Sequence, residues 1–136
     1  MSCSLFSDTS KIIHLVGIGG VSMSALAQVL NFRGFVVRGS DMNEGEHIAR
    51  LRRLGIKVDI GHSSENVDGA DLVIRTSAIH DDNPEVVRAK ELNIPIVERA
   101  QAWGSLMLEY KDVLCIRHCA TICRIFLTFP SNAQKK

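Results

Sequence analysis

The most regular pattern in the chain begins with a run of mostly apolar and β-branched residues from Ile12 to Val16. This run is followed by three closely spaced glycines, Gly17, Gly19 and Gly20. Apolar residues then recur at helical spacing from Val21 onward. The pattern predicts a strand, a tight glycine turn and a helix. Glycines let a phosphate approach the backbone, and the first N–H groups of the new helix lack an internal partner. The stretch therefore predicts a diphosphate-binding site at a helix N-terminus.

The same alternation of short apolar runs and amphipathic stretches continues to about residue 116 and predicts an α/β protein. It predicts a Rossmann-like, mostly parallel sheet with helices on both faces. The predicted strands are Lys11–Ile18, Phe35–Arg38, Lys57–Ile60, Leu72–Ile74, Ile94–Val97 and Val113–Ile116. The predicted helical segments are Val21–Arg33, Glu46–Leu54, a turn at Ser64–Val67, a helix that Asn83 and Pro84 start and that continues to Leu92, and Arg99–Tyr110.

The glycine turn is close to the dinucleotide fingerprint GxGxxG. Gly17 and Gly19 occupy its first two positions, and Ser22 takes the place of the third glycine. Asp41 ends the next apolar run, about 20 residues beyond the turn, where such folds place an acid that accepts hydrogen bonds from a ribose hydroxyl. The alternative is that Asp41 only caps a turn in GSDMNEG. The combination of strand, glycines, helix and acid favours the nucleotide-binding interpretation.

Composition and charge narrow the class of protein. The chain has 136 residues, of which 46% are hydrophobic and 23% charged, and this suits one globular domain. Its net charge of +1 argues against nucleic acid as a partner. No run is long enough to cross a membrane and the N-terminus lacks a secretory signal, so we expect a cytoplasmic protein without a membrane partner.

The four cysteines are Cys3, Cys115, Cys119 and Cys123. In a cytoplasmic protein we expect free thiols. The spacing of the last three is not typical of zinc or iron–sulfur sites, and His118 is the only obvious further ligand. We therefore predict no metal site.

Four segments of the sequence closely resemble the N-terminal domain of the Mur ligases. In chain order they are IHLVGIGGVSMSALAQVL, GFVVRGSD, LGIKVDIGHSSENVDGADLVIRTSAI and NPEVVRAKELNIPIVERAQ. The resemblance covers about Ile12 to Ile116 without large gaps. It implies that residues 11–116 form a Rossmann-like domain that holds the UDP part of UDP-N-acetylmuramate, the small-molecule partner, in a family that uses ATP and Mg²⁺ to extend peptidoglycan precursors.

The resemblance also implies which residues bind the UDP-sugar. The loop against the diphosphate would be Gly17, Ile18, Gly19, Gly20 and Val21. Asp41 would lie near the ribose or uridine end, and the uridine pocket would be lined by His62, Ser77, Ala78 and Ile79. All these groups follow predicted strands and fall at one edge of the sheet. Without the resemblance, His62 would be interpreted as a surface loop histidine and Ser77 as a turn cap.

The sequence departs from the family pattern at two places. Ser22 stands where the family usually has glycine, which we expect to affect diphosphate affinity only slightly. After Ile116 the family continues with the phosphate loop GTHGKT and an ATPase domain, whereas this sequence has no GxxGK[ST] motif. We therefore expect that this chain binds no ATP or Mg²⁺, contains no catalytic residues, and binds the UDP-sugar without ligating it.

The two ends of the chain are expected to lie outside the domain. Residues 1–10 are polar and predicted to be loose. Residues 117–136 contain four Lys or Arg and no acidic residue, and they show no clean pattern. The abrupt change in mid-motif suggests a frameshifted or truncated reading frame, so we do not expect this tail to form a domain.

Three other functions remain open at the level of sequence. A cofactor domain of an NAD(P)-dependent oxidoreductase shares the glycine turn and Asp41, but it leaves the GH and SAI motifs unexplained. A regulatory nucleotide sensor is a second alternative. A ligase that attaches a recycled tripeptide to the same nucleotide sugar is a third, because it uses the same kind of domain.

Overall fold

The computed structural model describes residues 6–107, together with the backbone of residues 113–114 and 126–127. Within it, five strands form one parallel sheet in the order β3-β2-β1-β4-β5. Because β1 lies between β2 and β4, the strand order reverses beside β1, and open α/β sheets bind ligands at such a point. The strands are β1 (Ile12–Val16), β2 (Val36–Asp41), β3 (Lys57–Ile60), β4 (Leu72–Arg75) and β5 (Ile96–Glu98).

Three α-helices and one 3₁₀ turn connect these strands, and a fourth α-helix follows β5. The helix α3 begins as the sequence predicts, because Asn83 Oδ1 accepts a hydrogen bond from the backbone N–H of Glu85 at 2.9 Å and Pro84 takes the first helical position. The helices are α1 (Val21–Phe32), α2 (Glu46–Arg53), α3 (Pro84–Glu91) and α4 (Arg99–Met107), and the 3₁₀ turn is Ser64–Val67.

The helices cover both faces of the sheet, as predicted. One face buries α1, α2 and α4 against alternate strand residues such as Ile13 and Leu15. The other face packs Val16 and Val73 against α3 and the 3₁₀ turn. Alternation along the strands explains the division, because successive side chains of a strand point to opposite faces. The Rossmann-like α/β fold is thus confirmed.

Three features differ from the sequence predictions. The strand β2 continues past Arg38 to Asp41, because GSD pairs with β1 and β3 instead of turning. Phe6 lies in the stretch predicted to be loose, yet it is only 2% exposed and packs edge-on against Phe35 at 5.8 Å. The predicted last strand also differs, because Val113–Leu114 pairs antiparallel with Phe126–Leu127, outside the parallel sheet. An apolar run predicts a strand but not its partner, since pairing is a tertiary property.

Several predictions lie outside the described residues. These concern the end of the last helix at Tyr110, the four cysteines, and most of the tail over residues 117–136. In the described part of the chain, no helix combines the length and apolar character that crossing a bilayer requires.

Candidate functional site

The predicted site residues gather at the carboxyl edge of the sheet. The strands β1, β2, β3 and β4 run parallel, so the loops that follow them emerge at the same edge. Gly17 to Val21 follow β1, Asp41 ends β2, His62 follows β3, and Ser77 to Ile79 follow β4.

The glycine loop is attached to the end of β2 through the backbone. The N–H groups of Gly17 and Ile18 both donate to the carbonyl oxygen of Ser40, at 2.8 and 3.0 Å. Gly17 has a φ of +79°, a left-handed conformation that favours glycine. The Ile18 side chain is fully buried in the core. Ile18 can therefore offer a ligand only its backbone, whereas Val21 is exposed at the start of α1.

The N-terminus of α1 has unused hydrogen-bond donors. Gly20 is the N-cap residue and has no side chain that could cap the helix. The first backbone bond of the helix runs from Ser24 N–H to the Gly20 carbonyl oxygen at 2.8 Å. No acceptor within the described chain contacts the N–H groups of Val21, Ser22 and Met23. These donors and the helix dipole together favour an anionic ligand.

Asp41 connects the glycine loop to the loop after β2. Its Oδ2 accepts a hydrogen bond from Gly19 N–H at 2.9 Å, and its Oδ1 accepts one from Asn43 N–H at 3.2 Å. A Cβ built on Gly19 would lie 2.8 Å from Asp41 Oδ2, so only glycine fits there without displacing the carboxylate. Asp41 therefore caps a local turn and also lies beside the glycine loop, and its hydrogen bond with a ribose stays a prediction.

Two further contacts bring the remaining loops to the same place. Gly61 N–H donates to the Asp41 carbonyl oxygen at 2.7 Å, which holds the His62 loop beside β2. A Cβ on Gly17 would lie 3.7 Å from Ile79 Cδ1, so the Ile79 side chain is close to the glycine turn. Ser77 and Ala78 are exposed in the turn that precedes Ile79.

Beneath these loops lies a buried polar cluster that the sequence patterns do not predict. The Glu85 carboxylate is fully buried and accepts four hydrogen bonds from four different segments. The donors to Oε1 are His14 Nε2 at 3.1 Å and Asn66 Nδ2 at 2.9 Å. The donors to Oε2 are Ser40 Oγ and His62 Nδ1, each at 2.7 Å. His62 is therefore held from below by a residue of α3.

The environment of Glu85 favours its ionised form. Burial alone would raise the pKa of this carboxyl group, but hydrogen bonds from His14, Ser40 and Asn66 together outweigh that effect and hold the pKa below its ordinary value. The position of Glu85 in the first turn of α3 also suits a negative charge. The cluster is thus a buried carboxylate with neutral or cationic donors.

The side chain of Ser22 is directed into the core and not toward the glycine loop. Its hydroxyl is buried and accepts a hydrogen bond from Trp103 Nε1 at 3.1 Å. Trp103 is a core residue, and Ser22 provides the acceptor that its buried N–H needs. The side chain of Ser22 therefore faces α4 and the core, away from the open donors of the glycine loop.

The described residues offer backbone donors at the glycine loop and no cluster of metal-ligating side chains. The sequence contains no glycine–lysine phosphate loop of the GxxGK[ST] type. Over the described residues, no group of three or more His, Cys, Asp or Glu side chains could hold a metal ion. The donors at the glycine loop suit a phosphate held by backbone N–H groups instead.

The sequence of this chain is similar to those of known ligases. Residues 12–111 match the model of the Mur ligase family, catalytic domain. The chain is 48% identical over 116 residues to UDP-N-acetylmuramate–L-alanine ligase of Clostridium botulinum. The matched region covers 85% of this chain and 25% of that protein. The chain thus spans about a quarter of the length of the curated relatives it matches.

Solved structures are similar over the same region. The UDP-N-acetylmuramate–alanine ligase of Thermotoga maritima matches with a TM-score of 0.72 and 44% identity, covering 74% of this chain and 24% of that one. A UDP-N-acetylmuramate:L-alanyl-γ-D-glutamyl-meso-diaminopimelate ligase of Neisseria meningitides matches with a TM-score of 0.68 and 28% identity, covering 74% and 32%. The family-model match extends over most of the sequence and coincides with the folded sheet and its glycine loop, and so this chain belongs to the Mur ligase family.

Proposed function

We propose that this chain is the UDP-N-acetylmuramate-binding, N-terminal portion of a ligase that adds L-alanine to that nucleotide sugar in peptidoglycan synthesis. The observation that carries the proposal is the set of unused N–H donors at the N-terminus of α1 beside Asp41. They lie at the sheet edge where the loops that follow four strands emerge. The identity of 48% to an alanine-adding ligase supports the choice of substrate.

The proposed roles follow the geometry of the edge. The backbone N–H groups of Val21, Ser22 and Met23 would contact the diphosphate, because within the described chain they are donors without acceptors at the positive end of a helix. Asp41 holds the turn at Gly19 and would lie near the ribose. His62, Ser77, Ala78 and Ile79 would line the uridine pocket, on either side of the glycine loop.

Ligation requires residues that this sequence does not contain. In the whole ligase, ATP and Mg²⁺ would supply the activation of the muramate carboxylate, and the amine of alanine would attack the activated group. The residues here bind and orient the nucleotide end of the substrate. We expect the 136-residue chain to act in the cytoplasm as a binding unit that has no ligase activity of its own.

Calorimetric titration of the purified chain tests the proposal. We expect saturable binding of UDP-N-acetylmuramate and of UDP, and none of NADH. A Gly19→Ala variant should lose this binding, whereas Gly104→Ala, a change in α4 with nothing within 4 Å of the new methyl group, should retain it. Binding of NADH instead would support the oxidoreductase interpretation, and a folded chain that binds neither ligand would overturn the proposal.

A second candidate is the ligase that attaches a tripeptide to the same sugar nucleotide. It is supported by the structural likeness to the Neisseria meningitides protein, although that identity is 28% against 44% for the Thermotoga maritima alanine ligase. An assay of a ligase that contains this domain, supplied either with L-alanine or with the tripeptide, separates the two. Incorporation of alanine is expected, and incorporation of the tripeptide alone would favour the second candidate.

A further inference from the structure

The hydrogen bonds around Glu85 determine where the ring protons of the two neighbouring histidines lie. An ionised carboxylate only accepts hydrogen bonds, so each of its four neighbours must supply a proton. Ser40 Oγ has a single proton and gives it to Glu85 Oε2 at 2.7 Å. Ser40 therefore has no second proton to donate to His62 Nδ1, which lies 3.3 Å from its Oγ. His62 Nδ1 must carry its own proton in order to make its 2.7 Å bond to Oε2.

His14 has the opposite arrangement. Its Nε2 is the atom that contacts Glu85, at 3.1 Å, so Nε2 carries the proton. Its Nδ1 is buried and has no partner among the described residues. A second proton at Nδ1 would be a buried donor without an acceptor, which is more costly than an unused lone pair. His14 is therefore the neutral Nε2–H tautomer and His62 the Nδ1–H tautomer.

The free nitrogen of His62 is the one available to a ligand. No described residue forms a hydrogen bond with Nε2, and the side chain is 11% exposed in the loop whose Gly61 N–H donates to the Asp41 carbonyl oxygen. With the proton on Nδ1, Nε2 of the neutral ring is a hydrogen-bond acceptor. The donors at the nucleoside end of a UDP-sugar are the uracil N3–H and the ribose hydroxyls.

We propose that Glu85 is a positioning residue for the nucleoside subsite: it holds His62 in the Nδ1–H tautomer and thereby presents Nε2 as an acceptor to a uracil N–H or a ribose hydroxyl. This inference rests on the proposed function for its ligand. Its structural part, the opposite tautomers of His14 and His62, stands on the geometry of the ligand-free protein. A carboxylate behind a ligating histidine fixes ring orientation in the same way at metal sites.

Heteronuclear NMR of the histidine ring nitrogens tests the structural part on the unmodified 136-residue chain. At about pH 8, where imidazole is ordinarily neutral, we expect the Nδ1–H pattern for His62 and the Nε2–H pattern for His14. His62→Ala assigns the His62 signals by their loss. An Nε2–H or a doubly protonated ring at His62 would overturn the inference. The result does not depend on whether a Glu85 variant folds, because this experiment requires no substitution of Glu85.

Substitution of Glu85 tests the link to the ligand. Glu85→Gln keeps the shape but replaces one accepting oxygen with an N–H₂ group, so His62 Nδ1 can accept a hydrogen bond and its proton moves to Nε2. We expect the NMR pattern of His62 to change and UDP affinity to fall about tenfold, the scale of one lost hydrogen bond between neutral groups. The matched control is Glu91→Gln at the exposed end of α3, which should alter neither quantity.

A double-mutant cycle separates positioning from a general effect on the fold. In a His62→Ala background, Glu85→Gln should cause no further loss of UDP affinity, because the residue through which Glu85 acts is gone. An equal further loss in that background would show a merely structural role and contradict the inference. If the unmodified chain fails to bind UDP at all, the proposed function fails, whereas the tautomers of His14 and His62 are still decided by the NMR experiment.

Discussion

The Asp41 carboxylate accepts a hydrogen bond from Gly19 N–H at 2.9 Å, and the Cα of Gly19 is so close to it that an added Cβ would lie 2.8 Å from the same oxygen. The carboxylate thus occupies the space that a side chain at residue 19 would need. Glycine is needed at this position because it permits the close approach of Asp41.

Gly19→Ala should therefore displace Asp41 and reshape the loop. We expect the free energy of unfolding to fall by about 1–3 kcal/mol, the usual cost of overpacking, and UDP-N-acetylmuramate binding to be lost. Chemical denaturation and calorimetry measure the two effects. Gly104→Ala is the matched control, and since it places alanine in a helix without a clash it should gain about 0.5–1 kcal/mol. Equal stability of the two variants would contradict this account.

Gly39 should tolerate substitution even less. A Cβ at this position would lie 2.6 Å from the Leu15 carbonyl oxygen and 2.6 Å from Ile18 Cδ1. The carbonyl belongs to the backbone of the central strand and cannot move aside as a flexible side chain can. We expect Gly39→Ala to cost about 3 kcal/mol or more and to broaden thermal unfolding. A melting temperature within a degree or two of the unmodified chain would be inconsistent with the packing at β2.

The Ser22–Trp103 hydrogen bond predicts a stability effect without a binding effect. Ser22→Ala leaves the buried Trp103 N–H without its acceptor, which should cost about 1–3 kcal/mol. Affinity for UDP-N-acetylmuramate should be unchanged, because the hydroxyl faces the core. Adding Trp103→Phe to the Ser22→Ala variant removes the unsatisfied donor, so its further cost should be smaller than that of Trp103→Phe alone. Additive costs would argue against the hydrogen bond.

Glu85 should make the stability of the chain sensitive to acid. Its pKa is lower in the folded protein than in the unfolded chain, so its contribution is present above the unfolded pKa and is lost as the pH falls through the folded pKa. Below about pH 4.5, the free energy of unfolding should therefore decline more steeply for the unmodified chain than for Glu85→Gln. Denaturation curves at several pH values measure this, with Glu91→Gln expected to follow the unmodified chain. If the difference in free energy of unfolding between the unmodified chain and Glu85→Gln stays constant down to about pH 3, the lowered pKa assigned to Glu85 is contradicted.

Local signals are sufficient for most of the fold. The strand Lys57–Ile60 and the turn Ser64–Val67 have the predicted bounds, and Asn83 with Pro84 starts a helix as expected. These elements depend on alternation, capping and turn chemistry, which lie within a few residues of each other. The sequence pattern underestimates the length of β2 because Gly39 and Ser40 look like turn residues, and only pairing with β1 and β3 keeps them extended.

The polar cluster could not be predicted in the same way. In the sequence, Glu85 is an acidic residue in the first turn of a helix, an ordinary position for a solvated side chain. Its partner His14 lies 71 residues away in the central strand, and Ser40 lies 45 residues away in the next strand. Burial of Glu85 follows from the packing of α3 against the sheet, which no local pattern records. One signal was available, since a histidine within an apolar strand needs a buried partner.

The contact of Phe6 with Phe35 shows that the mostly polar segment before β1 contributes a side chain to the hydrophobic core. The two rings meet edge to face at 5.8 Å with an interplanar angle of 77°, at the side of the sheet that α1, α2 and α4 cover. Removing residues 1–10 would therefore create a cavity in the hydrophobic core, because it removes the buried Phe6 side chain. A shortened version made for crystallisation or binding studies should keep Phe6, and the folding unit starts several residues before its first strand.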